Sequence, residues 1–477
     1  MSIEVDNRVR VSLADLRPEQ AEEIRSAFVH RNPNHGKPRH EGEPPTYRTW
    51  EHDDAGNLTV PVGGLARVRA ILEPGFWVED RRTWRHPEPK FPAHLKTLRD
   101  YQEELVESGI TNDTGLWRAG TGTGKTTAAY GLLARLKRRS LVMLCSTALL
   151  KQWLERAVEE LGMAPGDVGH IQGDREVVRP LTLAMQQTLA ARFSAGESAL
   201  ADAFDVLFFD EVQRAPAETV LAAIDPIRAR KRFGASADYT RRDSLEFFTT
   251  DLFGPVIATV DEARTIASGA VVEVEVAVVP TKFSAPWYRY DQDFNRLLAQ
   301  MTVDPERNAL ILSLVRSAVD SGEQVIVFTH RVEHARWLDA QIAQMGIPGG
   351  LMLGGGAEAQ EFDRTRLRLK AGQLRAAVGT YQAIGEGIDV PGVARGIAAT
   401  PQHNNRQKLG QVKGRICRAA AGKTFGRLAV LADVAVYGRK PVENFVGWFK
   451  RVVVWNGREW VEGRDYLASL RRRASAA

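Results

Sequence analysis

The feature that most constrains how this chain can fold is Ala119-Gly-Thr-Gly-Thr-Gly-Lys125-Thr126-Thr127, a loop placed directly before the helix-like stretch Ala128 to Leu136. Gly120, Gly122 and Gly124 allow the backbone to turn sharply and aim its N–H groups at an anion. The positive end of the following helix faces the same point. Lys125 adds a cation for the β- and γ-phosphates, Thr126 adds a hydroxyl for magnesium, and Thr127 completes the run. Together they predict a site for nucleotide phosphates and Mg2+ in a loop between strand and helix, the arrangement of a parallel α/β sheet.

Hydrophobic periodicity extends the same fold class downstream. Leu141 to Cys145 is followed by the amphipathic Leu149 to Leu161, Val206 to Phe209 by Ala217 to Ile224, and Gln324 to Phe328 by Val332 to Met345. The alternation predicts two α/β lobes. It divides the chain into a small α+β accessory module over 1–92, a first lobe over 93–280, a connection over 281–308, a second lobe over 309–435 and an extension over 436–477. In that extension Arg451 to Trp455 and Arg458 to Glu462 flank Asn456-Gly457, which predicts a β-hairpin closed by a type I′ turn.

Composition excludes several classes. With 44% hydrophobic and 26% charged residues among 477, the chain has the makeup of globular domains rather than of a disordered or fibrous protein. No apolar run is long enough to cross a bilayer, and Met1 to Asp15 lacks the basic-then-apolar layout of a signal peptide, so a cytoplasmic location is expected. Cys145 and Cys417 are too few for a disulfide framework or a four-ligand zinc site. A net charge of +5 permits an anionic polymer as partner without requiring one.

Ala119 stands where the general phosphate-loop pattern has Gly, and in this the chain resembles the superfamily 2 helicases. The resemblance runs from about 98 to 435 and implies two tandem RecA-like (P-loop NTPase) lobes. Phe208-Phe-Asp210-Glu211-Val-Gln213 resembles the family's second nucleotide motif. It implies that Asp210 holds magnesium, that Glu211 polarises the attacking water, and that Gln213 couples this turn to the linker motif at Ser236. Gln213 replaces the usual His or Asp. Gln411-Val-Lys-Gly-Arg415-Ile-Cys-Arg418 resembles the arginine-bearing motif, which implies that Arg415 and Arg418 stabilise charge on the γ-phosphate with Gln411 near the nucleotide. Their spacing of three predicts one shared helix face.

Weaker motifs gain weight from their order. Arg99 and Gln102 occupy the place of an adenine-reading element, and Gly387 and Asp389 that of a coupling motif near the nucleotide. Thr147, Gln187, His330 and Thr380 fall where the family contacts the nucleic-acid strand, although Met185 replaces an expected Thr. Gln152-Trp153, Arg241-Arg242-Asp243, Leu252 to Val256 and Asp304 to Asn308 resemble the XPB and phage UvsW-like branch, which acts on DNA, often branched or damaged. The branch implies DNA as partner, single-stranded, duplex or branched, with RNA open.

Asn32-Pro33 and Val60 to Leu65 echo a small DNA-binding module of that branch. Arg81, Arg82 and Arg85 with Trp77 and Trp84 read either as a phosphate-binding and base-stacking segment or as a solvated basic loop. A P-loop kinase or transport ATPase would need neither a second lobe nor the Gln411 to Arg418 motif. An ATP-switched nucleic-acid clamp and an RNA helicase stay as alternatives to a DNA helicase or translocase.

Overall fold

The computed structural model describes all residues except 1, 36–43, 73–74, 121, 215–216, 238–245, 290–292, 355–357, 386–389, 403 and 476–477. They form two compact units, residues 1–264 and 265–477.

An eight-stranded sheet is the centre of the first unit, in the order Arg175–Val177, Gly169–Gln172, Leu181–Met185, Ser140–Leu144, Val206–Asp210, Lys231–Ser236, Thr114–Ala119, Val256–Val260. Neighbouring strands run parallel except for the outermost pair at Arg175–Val177. Ser140–Leu144 and Val206–Asp210 are buried at every position, as continuous apolar runs in a sheet covered on both faces should be. Their C-terminal ends carry the loops on which a ligand site of a parallel sheet is built.

The N-terminal segment forms its own five-stranded sheet, where the period-two pattern buries Ile3 and Val5, Val9 and Val11 and leaves Glu4 and Arg10 half-buried. A second small element, the antiparallel ribbon Val29–Arg31 with Thr46–Arg48, lies beside it. This module is one compact unit with the first large sheet. The basic stretch after it is held by ion pairs and aromatic contacts, with Arg82 buried while Arg81 and Trp77 stay exposed. Arg82 pairs with Asp80 at 2.6 Å and Asp113 at 3.2 Å, the Arg85 amide donates to Asp205 at 2.8 Å, and Trp84 lies between the Arg138 and Arg230 guanidiniums at 4.5 and 4.9 Å.

The second unit holds another eight-stranded sheet, ordered Leu351–Met352, Ala376–Thr380, Gln324–Thr329, Val393–Ala398, Gly426–Ala432, Val274–Pro280, Val452–Trp455, Trp460–Glu462. All neighbours are parallel except the final hairpin. Two expected boundaries move as a result. Val274–Pro280, placed at the end of the first lobe from the sequence, is a central strand here, buried on both faces between Gly426–Ala432 and Val452–Trp455. The segment 436–477 is likewise no appendage, because Val452–Trp455 continues the same sheet.

The hairpin forms, but on a different turn. Trp455 pairs with Trp460, leaving 456–459 as the connection, and Gly457 has a positive φ of 100° while Asn456 does not. A type I′ turn needs positive φ at both central residues. Here the Asn456 side-chain oxygen instead accepts the amides of Arg458 and Glu459 at 2.9 and 3.0 Å. Among the described residues no helix is long and apolar enough to cross a membrane.

A buried ion pair fixes the second unit. Arg307 and Asp433, 1% and 0% exposed, meet at 2.7 and 3.0 Å, Arg307 also donates to the Ala399 carbonyl, and the Thr281 hydroxyl donates to Asp433 at 2.6 Å. Removing one partner leaves an uncompensated charge in the core. Arg307→Ala should therefore lower stability by about 3–5 kcal/mol, measured by denaturant unfolding, and a loss under about 1 kcal/mol would contradict this role.

Candidate functional site

The phosphate loop is held in shape by protein groups. Gly122 and Gly124 take φ of 87° and 79°, and the helix Lys125–Leu136 begins directly after them. The Gln102 side chain, 2% exposed, donates to the Thr123 carbonyl at 3.0 Å and accepts the Arg99 amide at 3.0 Å, which also caps the helix Asp100–Thr111. Both ends of that amide are thus engaged within the protein, tying the adenine-motif helix to the phosphate loop. A Cβ on Gly124 would stand 2.3 Å from the Gln102 amide nitrogen. The Thr123 hydroxyl closes the loop on Gly120 O at 2.9 Å. Thr126 is half-buried at the start of the helix.

Lys125, Asp210, Glu211 and Gln213 converge. Lys125 Nζ donates to Glu211 Oε1 at 3.0 Å and Gln213 Nε2 to Glu211 Oε2 at 2.6 Å. Glu211 sits at φ 56°, one of two described non-glycine residues with positive φ. Asp210 ends the strand Val206–Asp210 and is 3% exposed; its Oδ2 accepts the Trp153 indole N–H at 3.0 Å, while its Oδ1 is buried without a hydrogen-bond partner. Burial pushes the Asp210 carboxyl above its ordinary range, Lys125 opposes that shift, and Glu211 adds to it. An acceptor oxygen with no partner, beside a second carboxylate and Lys125, fits a hard divalent cation such as Mg2+.

Ser236, fully buried, ends the strand next to Asp210, one position beyond its register partner Ala235. The Thr127 hydroxyl is engaged by the protein: it donates to Glu160 Oε1 at 3.1 Å, where Arg156 and Lys96 also converge at 3.1 Å each. Trp153 belongs to the Gln152-Trp153 branch motif with no role implied at the nucleotide, and Glu160 lies outside the motifs. Glu160 does carry a signal, a carboxylate within the apolar stripe Leu150, Trp153, Ala157, Leu161. Nothing local announces that the Trp153 indole meets Asp210.

The strand-contact candidates lie at neighbouring strand ends. Thr147 opens the helix Thr147–Leu161 and accepts from Gln172 at 3.0 Å, and Gln187 donates to Cys145 O at 3.4 Å. In the second unit, Thr380 accepts the Ala383 amide at 3.2 Å and so caps the helix Tyr381–Gly385. His330 follows the strand Gln324–Thr329; its Nδ1 meets Thr400 Oγ1 at 2.8 Å and its Nε2 meets Gln402 Nε2 at 3.0 Å. Burial first, then Lys408 and Arg331, lower its pKa to about 4, so the ring is neutral near pH 7.

Gln411 and Arg415 lie on the helix Arg406–Ile416, but Arg418 does not. The shared helix face expected for the arginines is absent because the chain leaves the helix at Cys417 to bridge Val271, and Val272 N donates to Cys417 O at 2.6 Å. Gly387 and Asp389 lie outside the described residues, as do Arg241, Arg242 and Asp243.

Comparison with known proteins decides between the nucleotide-enzyme classes. The family "Type III restriction enzyme, res subunit" matches residues 95–241 and "Helicase conserved C-terminal domain" matches 306–420. The chain belongs to the superfamily 2 helicases. Its relatives include the DNA 3'-5' helicase XPB of Mycobacterium tuberculosis, 25% identical over 68% of this chain and 58% of the relative. Another is the DNA 3'-5' translocase XPB2 of Sulfurisphaera tokodaii, 25% identical over 67% of this chain and 78% of the relative. The chain spans 57–59% of the length of the M. tuberculosis helicase and of two archaeal helicases named Rad25 that it also matches. The solved structure of S. cerevisiae Dbp5 bound to RNA and ADP BeF3 shares the fold, with a TM-score of 0.55 at 14% identity over 76% of this chain and 90% of that one.

In this helicase family member the Gln102–Gly124 contact makes a direct test. A side chain at a left-handed position costs about 1–2 kcal/mol, and Gly124→Ala adds a clash with Gln102. ATP affinity should fall roughly tenfold or more, read by calorimetric titration. Unchanged affinity would mean that the loop is not built for phosphate.

Proposed function

We propose that the chain hydrolyses Mg-ATP and uses the cycle to translocate along and remodel DNA in the cytoplasm. The observation that carries this reading is the Lys125–Glu211 contact beside the unpartnered Asp210 oxygen. ATP binding would draw Lys125 from Glu211 to the phosphates and leave Glu211, still steered by Gln213, to orient the attacking water. Asp210 and Thr126 would hold Mg2+, which supplies charge neutralisation at the phosphates.

Arg415 and Arg418 would face the γ-phosphate from the second unit, with Gln411, Gly387 and Asp389 near the nucleotide and Arg99 and Gln102 at its base. Thr147, Gln187, His330 and Thr380 would line the strand path, with Ser236 relaying between the two. His330 would act there through its ring edge, since both ring nitrogens and its backbone N–H are engaged. DNA is favoured over RNA by relatives named as DNA helicase and DNA translocase.

Lys125→Ala should abolish turnover and Glu211→Gln should stop hydrolysis while ATP still binds. Arg415→Ala and Arg418→Ala should each lower single-turnover hydrolysis on the order of a thousandfold, with poor rescue by Lys, whose ammonium lacks the planar fork of donors. ATPase rates with single-stranded DNA, forked DNA and RNA check the partner. Near-normal hydrolysis in both arginine variants would remove the two-lobe mechanism, and stimulation by RNA alone would remove the DNA assignment.

A further inference from the structure

The N-terminal module grips one helix of the first unit through a charge with no access to solvent. Asp251, on the helix Glu246–Phe253, is 0% exposed. Its Oδ2 meets His30 Nε2 at 2.9 Å and accepts the Thr49 hydroxyl at 2.6 Å, and its Oδ1 pairs with Arg67. The His30 ring also stacks on Phe247 of the same helix at 3.9 Å. At the end of that helix Gly63 lies so close that a Cβ there would stand 2.2 Å from the Gly254 nitrogen and 2.6 Å from the Asp251 carbonyl.

The next two residues pack into the core of the first large sheet. Leu252 and Phe253 share a core cluster with Phe209 and Val212, and the Phe253 ring meets Phe209 at 6.5 Å. Phe209 and Val212 are the residues directly before and after Asp210-Glu211. Three consecutive positions of one helix therefore connect the module to the turn that carries the hydrolytic carboxylates. That turn depends on its neighbours, because Glu211 holds a left-handed φ of 56° that a side-chain-bearing residue adopts only when its surroundings impose it.

We propose that the N-terminal module is a positioning element for hydrolysis: by clamping Asp251 through His30, Thr49 and Arg67 it fixes the helix against which the Asp210-Glu211 turn is packed. This rests on the reading of Glu211 as the residue that orients water. Module docking then sets turnover more than nucleotide affinity, because the phosphate loop is secured separately through Gln102. Any event that shifts the module would reach the carboxylates through this helix without touching ATP.

The test uses the full chain with Thr49→Val, Arg67→Lys, Asp251→Asn and Gly63→Ala, the last undocking the module sterically while leaving every charge in place. Steady-state ATPase at saturating DNA should show kcat reduced on the order of tenfold to a hundredfold in Asp251→Asn and Gly63→Ala, and less in the two milder variants. KM for ATP should stay within about twofold, and thermal unfolding is followed in parallel. A merely structural contact would lower the unfolding temperature and leave kcat per folded molecule at the wild-type value, which would overturn the proposal. If Asp251→Asn does not fold, a graded kcat loss in Thr49→Val and Arg67→Lys still supports it, and wild-type kcat in both overturns it. Turnover that persists in Lys125→Ala would refute the nucleotide reading and this proposal with it.

Discussion

Glu211 occupies a backbone conformation that costs a side-chain-bearing residue about 1–2 kcal/mol, and the arrangement of the nucleotide site follows from holding it there. Glycine would remove the strain and also remove the carboxylate. The conformation turns that carboxylate between Lys125 and Gln213, while Asp210 stays on the strand and looks at Trp153. Two adjacent carboxylates thereby stay close to Lys125 with different partners, one the lysine of the phosphate loop and one a buried indole. An extended backbone at Glu211 would send its side chain to the other face of the sheet. Local strain here is the geometric condition for two neighbouring acids to have two different roles.

The phosphate loop is preorganised in a related way. Gln102 spends its amide on the loop carbonyl and on a helix cap, and Thr127 spends its hydroxyl on Glu160, so neither waits for nucleotide to find a partner. Dipoles and donors fixed before the ligand arrives need no reorganisation when charge develops. Glu160 extends the support outward, since Lys96 and His94 of the connecting stretch reach the same carboxylate at 3.1 and 3.4 Å. The segment between module and sheet is in this sense part of the loop's foundation.

The parts of this architecture that were legible in the sequence are those whose chemistry is local. Glycines before Lys-Thr, and Asp-Glu after four apolar residues, specify a phosphate loop and a strand end by backbone requirement alone. The apolar run Val274–Pro280 carries no information on which sheet it joins, and partnership with Gly426–Ala432 is a long-range fact. Arg418 shows the same limit. Spacing continued the helix through it, whereas pairing of Val271 and Val272 with the chain ends the helix at Ile416. Asp251 reads from its neighbours as the polar face of a short helix, and only the folded module supplies the three groups that make it a buried anchor.

Three buried carboxylates differ in how far they are satisfied. Asp433 has both oxygens taken by Arg307 and one shared with Thr281, and Asp251 has both taken by Arg67, His30 and Thr49. Each of these is a closed network, which specifies one packing and leaves nothing for a ligand. Asp210 is as deeply buried, yet only one of its oxygens is met, by Trp153. A buried carboxylate oxygen without a partner is costly in a folded protein, so its persistence at the end of a parallel strand, beside Lys125 and Glu211, marks the position where the fold accepts a cost that a bound cation would offset.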